Sequence, residues 1–249
     1  MRGVVLAGGH GKRLEPMTKV INKHCLPVAG LPMLYWPLKK ISELEIRETL
    51  IVTGCENLEQ IVTLVQSGKE FGLDVEYKIQ TEAGGIAQAL RLAKKFVDDD
   101  PFVVILGDNI FTDSLKPYYE KFLGQINLDL RRPQGMLLLK YVVDPERFGV
   151  GVVKNNKLIQ LIEKPSAPSP SKLAITGIYF YVGKQIFDMI DRLIPSERGE
   201  LEITSLNSKL LEMDTLSYNI LSGEWSDAGL PSSLYRANQI MSTGENNGY

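Results

Sequence analysis

A short apolar run that stops in glycines opens the chain and constrains everything after it. Val4-Val5-Leu6-Ala7 is apolar and rich in β-branched residues, too brief for a helix, and is followed by Gly8, Gly9 and Gly11. A strand that runs into such a cluster must bend, and bare backbone lets its N–H groups converge on an anion. Arg13 and Lys23 then add full positive charges. A polyphosphate is the ligand class that fits.

Two familiar phosphate motifs are excluded by spacing. A P-loop needs a glycine five residues before a Gly-Lys pair and Ser or Thr after it; here Leu6 holds the first position and Arg13 the last. A dinucleotide fingerprint would place its third glycine where Leu14 stands, and Pro16 interrupts the helix that should follow. A tight turn without chemistry remains the alternative for the glycines alone.

The 249 residues, 44% of them hydrophobic, can bury one large core, which favours one compact α/β domain over two independent ones. A formal net charge of −2 leaves no basic footprint for nucleic acid, so an anion site must be local. Cys25 and Cys55 lack metal-ligand spacing and suggest a reduced, cytoplasmic protein. Met1 leads straight into the first strand without a signal-peptide pattern, and no apolar run approaches a bilayer span, so no membrane association is expected.

Strand and helix signals alternate through the first half. Strands are expected at Glu48–Thr53, Val75–Ile79 and Phe102–Leu106. Helices are expected at Leu31–Leu44, entered through Pro32 and disturbed by Pro37, at Leu58–Val65, ending near Gly68, and at Ile86–Val97. This predicts a Rossmann-like, mostly parallel central sheet flanked by helices, with ligands beyond the carboxyl ends of its strands. Met136–Val143, Gly149–Lys154, Leu158–Ile162 and Ile175–Val182 are closely spaced strand candidates with a hairpin turn at Asn155-Asn156, and they read as an inserted β-rich lobe. Pro165, Pro168 and Pro170 mark a loop, helices are expected at Gly183–Leu193, Ile203–Met213 and Leu230–Ser242, and the tail from Thr243 should fray. The expected division is a single domain with a first lobe over about 1–135, a second, β-rich lobe over 136–229 and a C-terminal helix and tail over 230–249.

Several polar residues have a chemical and a plain reading. Asp108 in Gly107-Asp108-Asn109 directly follows the Phe102–Leu106 strand, where a turn or cap is the ordinary explanation. With Asp227 in Trp-Ser-Asp-Ala-Gly it would make a reasonable Mg²⁺ site, since magnesium takes a few carboxylates and retains substrate oxygens and water; Asp227 could equally cap the helix near Leu230. Gln80 can donate and accept at once and so pair with a ligand edge that does both, with the Gly85 backbone beside it, or it merely closes its strand. Glu163-Lys164 reads by default as an exposed ion pair, and Arg198 as a surface arginine before a helix.

The ordered strings GGxGxRLxPxT, Lys-x-x-Leu-Pro, PMLYWP, QTEAGGIAQAL, LGDN, DPERFGV, EKP, TGIYFY, RGELEIT and WSDAG run almost from end to end. Together they resemble the nucleoside-triphosphate sugar-1-phosphate transferases, most closely the bacterial glucose-1-phosphate thymidylyltransferases. The resemblance implies transfer of a nucleotidyl group from a nucleoside triphosphate, dTTP foremost, to a sugar 1-phosphate, glucose 1-phosphate foremost, with release of pyrophosphate. UTP or another sugar, and a non-catalytic nucleotide-sugar sensor, are the alternatives. It implies catalytic roles for Arg13, Lys23, Asp108 and Lys164, and nucleotide contacts from Leu6, Gly8, Gly9, Gly11, Arg13, Gln80, Gly85 and Asp108. Sugar-phosphate contacts are implied for Asn109, Gly149, Glu163, Lys164, Thr176, Gly177 and Arg198, and Mg²⁺ ligation for Asp108 and Asp227. Members commonly form dimers or tetramers, which makes a homo-oligomer the expectation; for Pro32-Met33-Leu34-Tyr35-Trp36, core packing is the simpler reading. Lys12 stands where the family usually has Thr, and the chain matches the shorter members without a C-terminal helical extension.

Overall fold

The computed structural model describes residues 1–126 and 132–242; the expected frayed tail from Thr243 lies outside them. In chain order, β1 (Arg2–Ala7) is followed by the short pair β2 (Pro27–Val28) and β3 (Leu31–Pro32), and then by α1 (Tyr35–Ser42). Next come β4 (Glu48–Gly54), α2 (Leu58–Val65), β5 (Asp74–Gln80), α3 (Ile86–Arg91), α4 (Lys94–Val97), β6 (Phe102–Leu106), β7 (Asn109–Phe111) and α5 (Lys116–Gln125). The remainder is β8 (Gln134–Tyr141), β9 (Gly149–Lys154), β10 (Lys157–Glu163), β11 (Leu173–Val182), α6 (Gln185–Ile190), α7 (Ile203–Glu212), β12 (Leu216–Ile220), β13 (Trp225–Asp227) and α8 (Pro231–Ser242).

Two compact units share these elements. A terminal unit combines Arg2–Ala83, Ile105–Lys116 and Ser222–Tyr249, and a central unit combines Gly84–Val104 with Pro117–Leu221. This differs from the consecutive partition at residues 135 and 229. Pairing decides membership: β13 closes on β7 in the terminal unit, whereas the backbone of Ala87 at the start of α3 bonds to Leu201 in the central one.

In the terminal unit, β1 pairs parallel with β4 and β4 with β5, in registers such as Val5 with Ile51 and Val52 with Lys78. Parallel strands covered on both faces need continuous apolar sequence, and Val4, Val5, Leu50, Ile51 and Val52 are fully buried. Helix α1 packs so closely on β1 that a Cβ at Gly3 would lie 2.8 Å from Ile41. The expected helix from Leu31 is shorter, because Leu31-Pro32 pairs with Pro27-Val28 instead. Pro37 does not disturb α1: it occupies the first turn, where a backbone N–H has no partner to lose. Met33 joins a core cluster with Leu14, Leu26, Val28, Ile110, Ala228 and Ala237, so the PMLYWP segment packs inward.

The central unit is mainly antiparallel. Strand β8 pairs with β11, β9 pairs with both β10 and β11, and β12 lies parallel to β8. Asn155 and Asn156 both adopt positive φ, 51° and 58°, which a two-residue hairpin of primed type requires. Helix α7 packs on β10, and Phe102 stacks on Phe187 of α6 with 5.7 Å between centroids. The expected helix over Ile86–Val97 is broken at Leu92-Ala93, whose N–H groups bond three residues back rather than four. Among the described residues, no helix is long and apolar enough to cross a membrane.

Candidate active site

In the terminal unit the glycine turn is defined by contacts that a side chain would break. Gly11 has φ +68°, and a Cβ there would lie 2.9 Å from Thr18 and 3.0 Å from the Lys23 Cβ. Thr18 Oγ1 donates to the Gly11 carbonyl at 2.8 Å, pinning the turn. At Gly8 a Cβ would fall 2.4 Å from Gln80 Oε1, so the amide at the end of β5 rests on the glycine backbone; Gly9 has open space instead. His10 Nδ1 and Glu56 Oε2 meet at 2.9 Å and tie the turn to the segment after β4. Leu6 is buried and its carbonyl accepts the Gly107 N–H at 2.9 Å. A concavity lined by Gly8, Gly9, Asn22, Lys23 and Asn57 lies on this turn, and a second, lined by Gly8, Gln80 and Glu82, adjoins it.

Lys23 is buried and pairs with Asp108 Oδ2. It sits on a 3-10 turn, Lys23–Cys25, capped by Asn22, whose Oδ1 accepts the His24 N–H at 3.0 Å. Burial works against ionisation of Asp108, but Lys23, His24 and the Asn109 amide outweigh it and bring the carboxyl down to about 2. Burial, reinforced by Lys23, lowers His24 to about 3, so this imidazole is neutral at pH 7. Its ring fills the space over Gly107, where a Cβ would be 2.7 Å away.

The second acidic group arrives through β13. In the antiparallel pair of β13 and β7, Asp227 stands opposite Asn109, one residue from Asp108. A Cβ placed on Gly229 would be 3.2 Å from Arg13 Nη2 and 3.3 Å from Asp227 Oδ2, which locates the guanidinium and the carboxylate around one glycine. Arg13, Lys23, Asp108, Asp227 and the turn thus belong to a single unit. Among the described residues no three His, Cys, Asp or Glu groups converge as a metal cage. Two carboxylates without thiolate or imidazole are nevertheless the donor chemistry that magnesium uses when phosphate oxygens and water complete its shell.

Asn109 is held from both ends inside the protein. Only 2% of its surface is exposed; its Oδ1 accepts from Trp225 Nε1 at 2.7 Å and its Nδ2 donates to Asp108 Oδ1 at 3.1 Å. Each end of the amide bonds within the protein, and Asn109 supports Asp108.

The central unit gathers the other candidates. Glu163 closes β10 and accepts from Thr204 Oγ1 at 2.5 Å and from Arg198 Nη2 at 3.2 Å. Gly149 lies beneath this pair, where a Cβ would come within 2.7 Å of Thr204 Oγ1 and 3.1 Å of Glu163 Oε2. Lys164 is exposed, takes φ +42° and donates its N–H to the Phe148 carbonyl, so the two adjacent charges separate at the strand end. Arg198 also reaches Glu202 at 2.7 Å and Glu200 at 3.6 Å; three carboxylates surround the guanidinium expected to clamp a phosphate. Thr176 and Gly177 are buried in the stretch of β11 where its register with β8 shifts, and Thr176 Oγ1 donates to the Leu138 carbonyl at 2.7 Å. Gly85 also falls in this unit; its φ of +95° and a Cβ position 2.6 Å from the Leu201 carbonyl give it a structural reason to be glycine.

Sequence reasoning overlooked Thr204, Glu202, His24 and Trp225. The first two sit inside the RGELEIT string, where the spacing Glu200, Glu202, Thr204 was a usable polar pattern. His24 and Trp225 left no signal, because the Gly107 backbone under the imidazole and the Asn109 amide bonded to the indole come from distant segments.

Residues 2–244 match the family model described as nucleotidyl transferase. The chain belongs to this family. Among curated relatives, this nucleotidyl transferase is 36% identical over 250 residues to a glucose-1-phosphate thymidylyltransferase of Neisseria meningitidis, covering 99% of this chain and 84% of the relative. It is 37% identical to one from Xanthomonas campestris, over 97% of this chain and 81% of that one. A crystal structure of a candidate glucose-1-phosphate thymidylyltransferase from Bacillus anthracis, in complex with sucrose, superposes with a TM-score of 0.91 at 47% identity, covering 100% and 98% of the two chains. A UDP-glucose pyrophosphorylase complexed with UDP-glucose shares the fold, with a TM-score of 0.81 at 21% identity over 98% and 99% of the two chains.

Proposed function

We propose that this nucleotidyl transferase makes dTDP-glucose and pyrophosphate from dTTP and glucose 1-phosphate. The observation that carries the reading is the meeting of Lys23, Asp108, Asp227 and Arg13 around the glycine turn, in a chain so like the Neisseria and Xanthomonas thymidylyltransferases. A phosphate oxygen of the sugar 1-phosphate attacks the α-phosphorus of the triphosphate, the bond from that phosphorus to the β-bridging oxygen breaks, and pyrophosphate leaves in line. No side-chain nucleophile takes part. The barrier is largely the repulsion of two anions, so alignment and charge neutralisation are what the protein supplies.

Arg13 and the backbone amides of Gly8, Gly9 and Gly11 hold the departing pyrophosphate. Lys23 neutralises charge close to the α-phosphate, and Lys164 orients the phosphate of the sugar. Gln80 reads the pyrimidine edge, and Glu163, held by Thr204, accepts from sugar hydroxyls. Asp108 and Asp227 are the residues that would hold Mg²⁺, which when bound neutralises charge on the phosphate oxygens. The partly buried pair with Lys23 keeps Asp108 ionised and ready for that task.

Pyrophosphate release measured with dTTP and glucose 1-phosphate, with and without Mg²⁺, tests the proposal, and a panel with UTP and other sugar phosphates sets the specificity. Metal-dependent release that is fastest with the named pair is expected. A folded protein that binds nucleotide but releases no pyrophosphate from any combination is a sensor, and the proposal fails.

A further inference from the structure

We infer that Trp225 is a positioning residue for the reaction proposed above: its indole N–H locks the Asn109 amide, and that amide sets the direction of the Asp108 carboxylate. The inference rests on the reading of Asp108 and Asp227 as the metal-holding pair. It starts from the register of β7 and β13, in which Trp225 faces Phe111, Ser226 faces Ile110 and Asp227 faces Asn109. Side chains two apart on a strand share a face, so Asn109, Phe111, Trp225 and Asp227 lie on one side of the ribbon. The diagonal from Trp225 to Asn109 is within reach of an aromatic side chain, and the indole spans it with a 2.7 Å hydrogen bond.

The chemistry of the three groups then admits one orientation. An indole nitrogen only donates, an ionised carboxylate only accepts, and an amide has one end for each. With Trp225 donating to Oδ1, the amide must turn its NH₂ toward Asp108, where Nδ2 donates at 3.1 Å. Reversed, the amide would set N–H against N–H and oxygen against carboxylate. Lys23 holds Oδ2 and Asn109 holds Oδ1, so the carboxylate is fixed at both oxygens. Trp225 and Asn109 are 4% and 2% exposed, which keeps water from substituting easily for either bond. Because Asp227 is carried two residues beyond Trp225 on the same strand, the indole also joins the strand that bears Asp227 to β7, which starts directly after Asp108.

Groups that orient a metal-bound carboxylate change metal affinity by ten- to a hundredfold when removed. Trp225→Phe keeps a ring in the pocket and deletes the N–H. Titration of the protein with Mn²⁺ alone, followed by electron paramagnetic resonance, should show the dissociation constant rising by about ten- to a hundredfold. The Mg²⁺ concentration for half-maximal pyrophosphate release should rise in parallel, with a smaller change in KM for glucose 1-phosphate. Should Trp225→Phe not fold, site-specific replacement of Trp225 by benzothienylalanine, with sulfur in place of the N–H, makes the same deletion at nearly constant shape. Mn²⁺ affinity within twofold of wild type in a folded variant, or no Mn²⁺ binding by the wild-type protein, overturns the inference. Pyrophosphate release by the wild-type protein judges the functional reading separately, so the two failures are told apart.

Discussion

Lys23→Met preserves most of the lysine's length and deletes its ammonium, leaving the partly buried Asp108 carboxylate without its cation. Breaking a buried pair from one side costs about 3–5 kcal/mol, chiefly because the surviving charge has no comparable partner. The lowering of Asp108 from 3.8 to about 2 gives an independent scale: at about 1.4 kcal/mol per unit, the folded environment contributes about 2–3 kcal/mol at pH 7. Because the folded value is depressed, that contribution is complete above pH 3.8 and is lost as the pH falls through about 2. In Lys23→Met the strongest lowering influence is gone, and burial, the largest influence on this group, raises the carboxyl above its ordinary value. The sign then reverses, and the variant recovers stability as the pH falls toward that raised value. Urea unfolding of wild type, Lys23→Met, Asp108→Asn and the double variant at pH 7 and pH 4.5 forms a cycle. A coupling of about 2–3 kcal/mol at pH 7, with the double variant less damaged than the two losses added together, is expected. Additivity within about 0.5 kcal/mol, or a Lys23→Met penalty that does not shrink at pH 4.5, refutes the reasoning.

Other perturbations probe other parts of the molecule. Arg13→Ala should lower the turnover of pyrophosphate release by orders of magnitude, about 10²-fold or more, with the circular-dichroism spectrum unchanged; near-normal turnover would remove Arg13 from the mechanism. Gly85→Ala places a methyl 2.6 Å from the Leu201 carbonyl at φ +95°, and backbone strain alone should cost about 1–3 kcal/mol, read as a lower urea midpoint. His24 is held neutral in the fold, lowered from 6.5 to about 3, so its contribution is complete above pH 6.5 and fades as the pH falls toward 3. About 2 kcal/mol should be lost between pH 6.5 and 5, and His24→Gln should flatten that slope; an equal slope in the variant refutes the assignment.

What could be read ahead of the structure divides along physical lines. Helix α2 spans Leu58–Val65 as its apolar spacing indicates, and β6 and β9 have the bounds their apolar runs suggest, because one local period decides each of them. Strand β12 was missed, since Leu216–Ile220 is only partly buried and acquires its identity from pairing with β8. The division into units was also misjudged, because β7, β13 and α3 are placed by partners far away in sequence rather than by their own residues. Among the site residues, the glycine turn and its cations could be read from one contiguous string. Glu200 and Glu202 share a string with Arg198, but the third carboxylate around it could not be read, since Glu163 arrives from the end of β10.

The placement of Asp227 shows how little local sequence can say about a site and how much a core can. Three-residue strands carry no periodicity, so nothing in Trp-Ser-Asp or Asn-Ile-Phe indicates which side chains share a face. The decision comes from the other side of the ribbon, where Ile110 is fully buried in the cluster that includes Ala228 and Ala237, and Ser226 Oγ donates to the Ser233 carbonyl of α8 at 2.9 Å. A one-residue slip of β13 would set Ser226 opposite Asn109 and turn Asp227 toward that apolar cluster. An ionised carboxylate there would lose its hydration without a partner, a penalty of several kcal/mol that the correct register avoids. Apolar packing against α8 therefore aims the second acidic group, and the chemistry on one face of the ribbon is held in register by the hydrophobic contacts on the other.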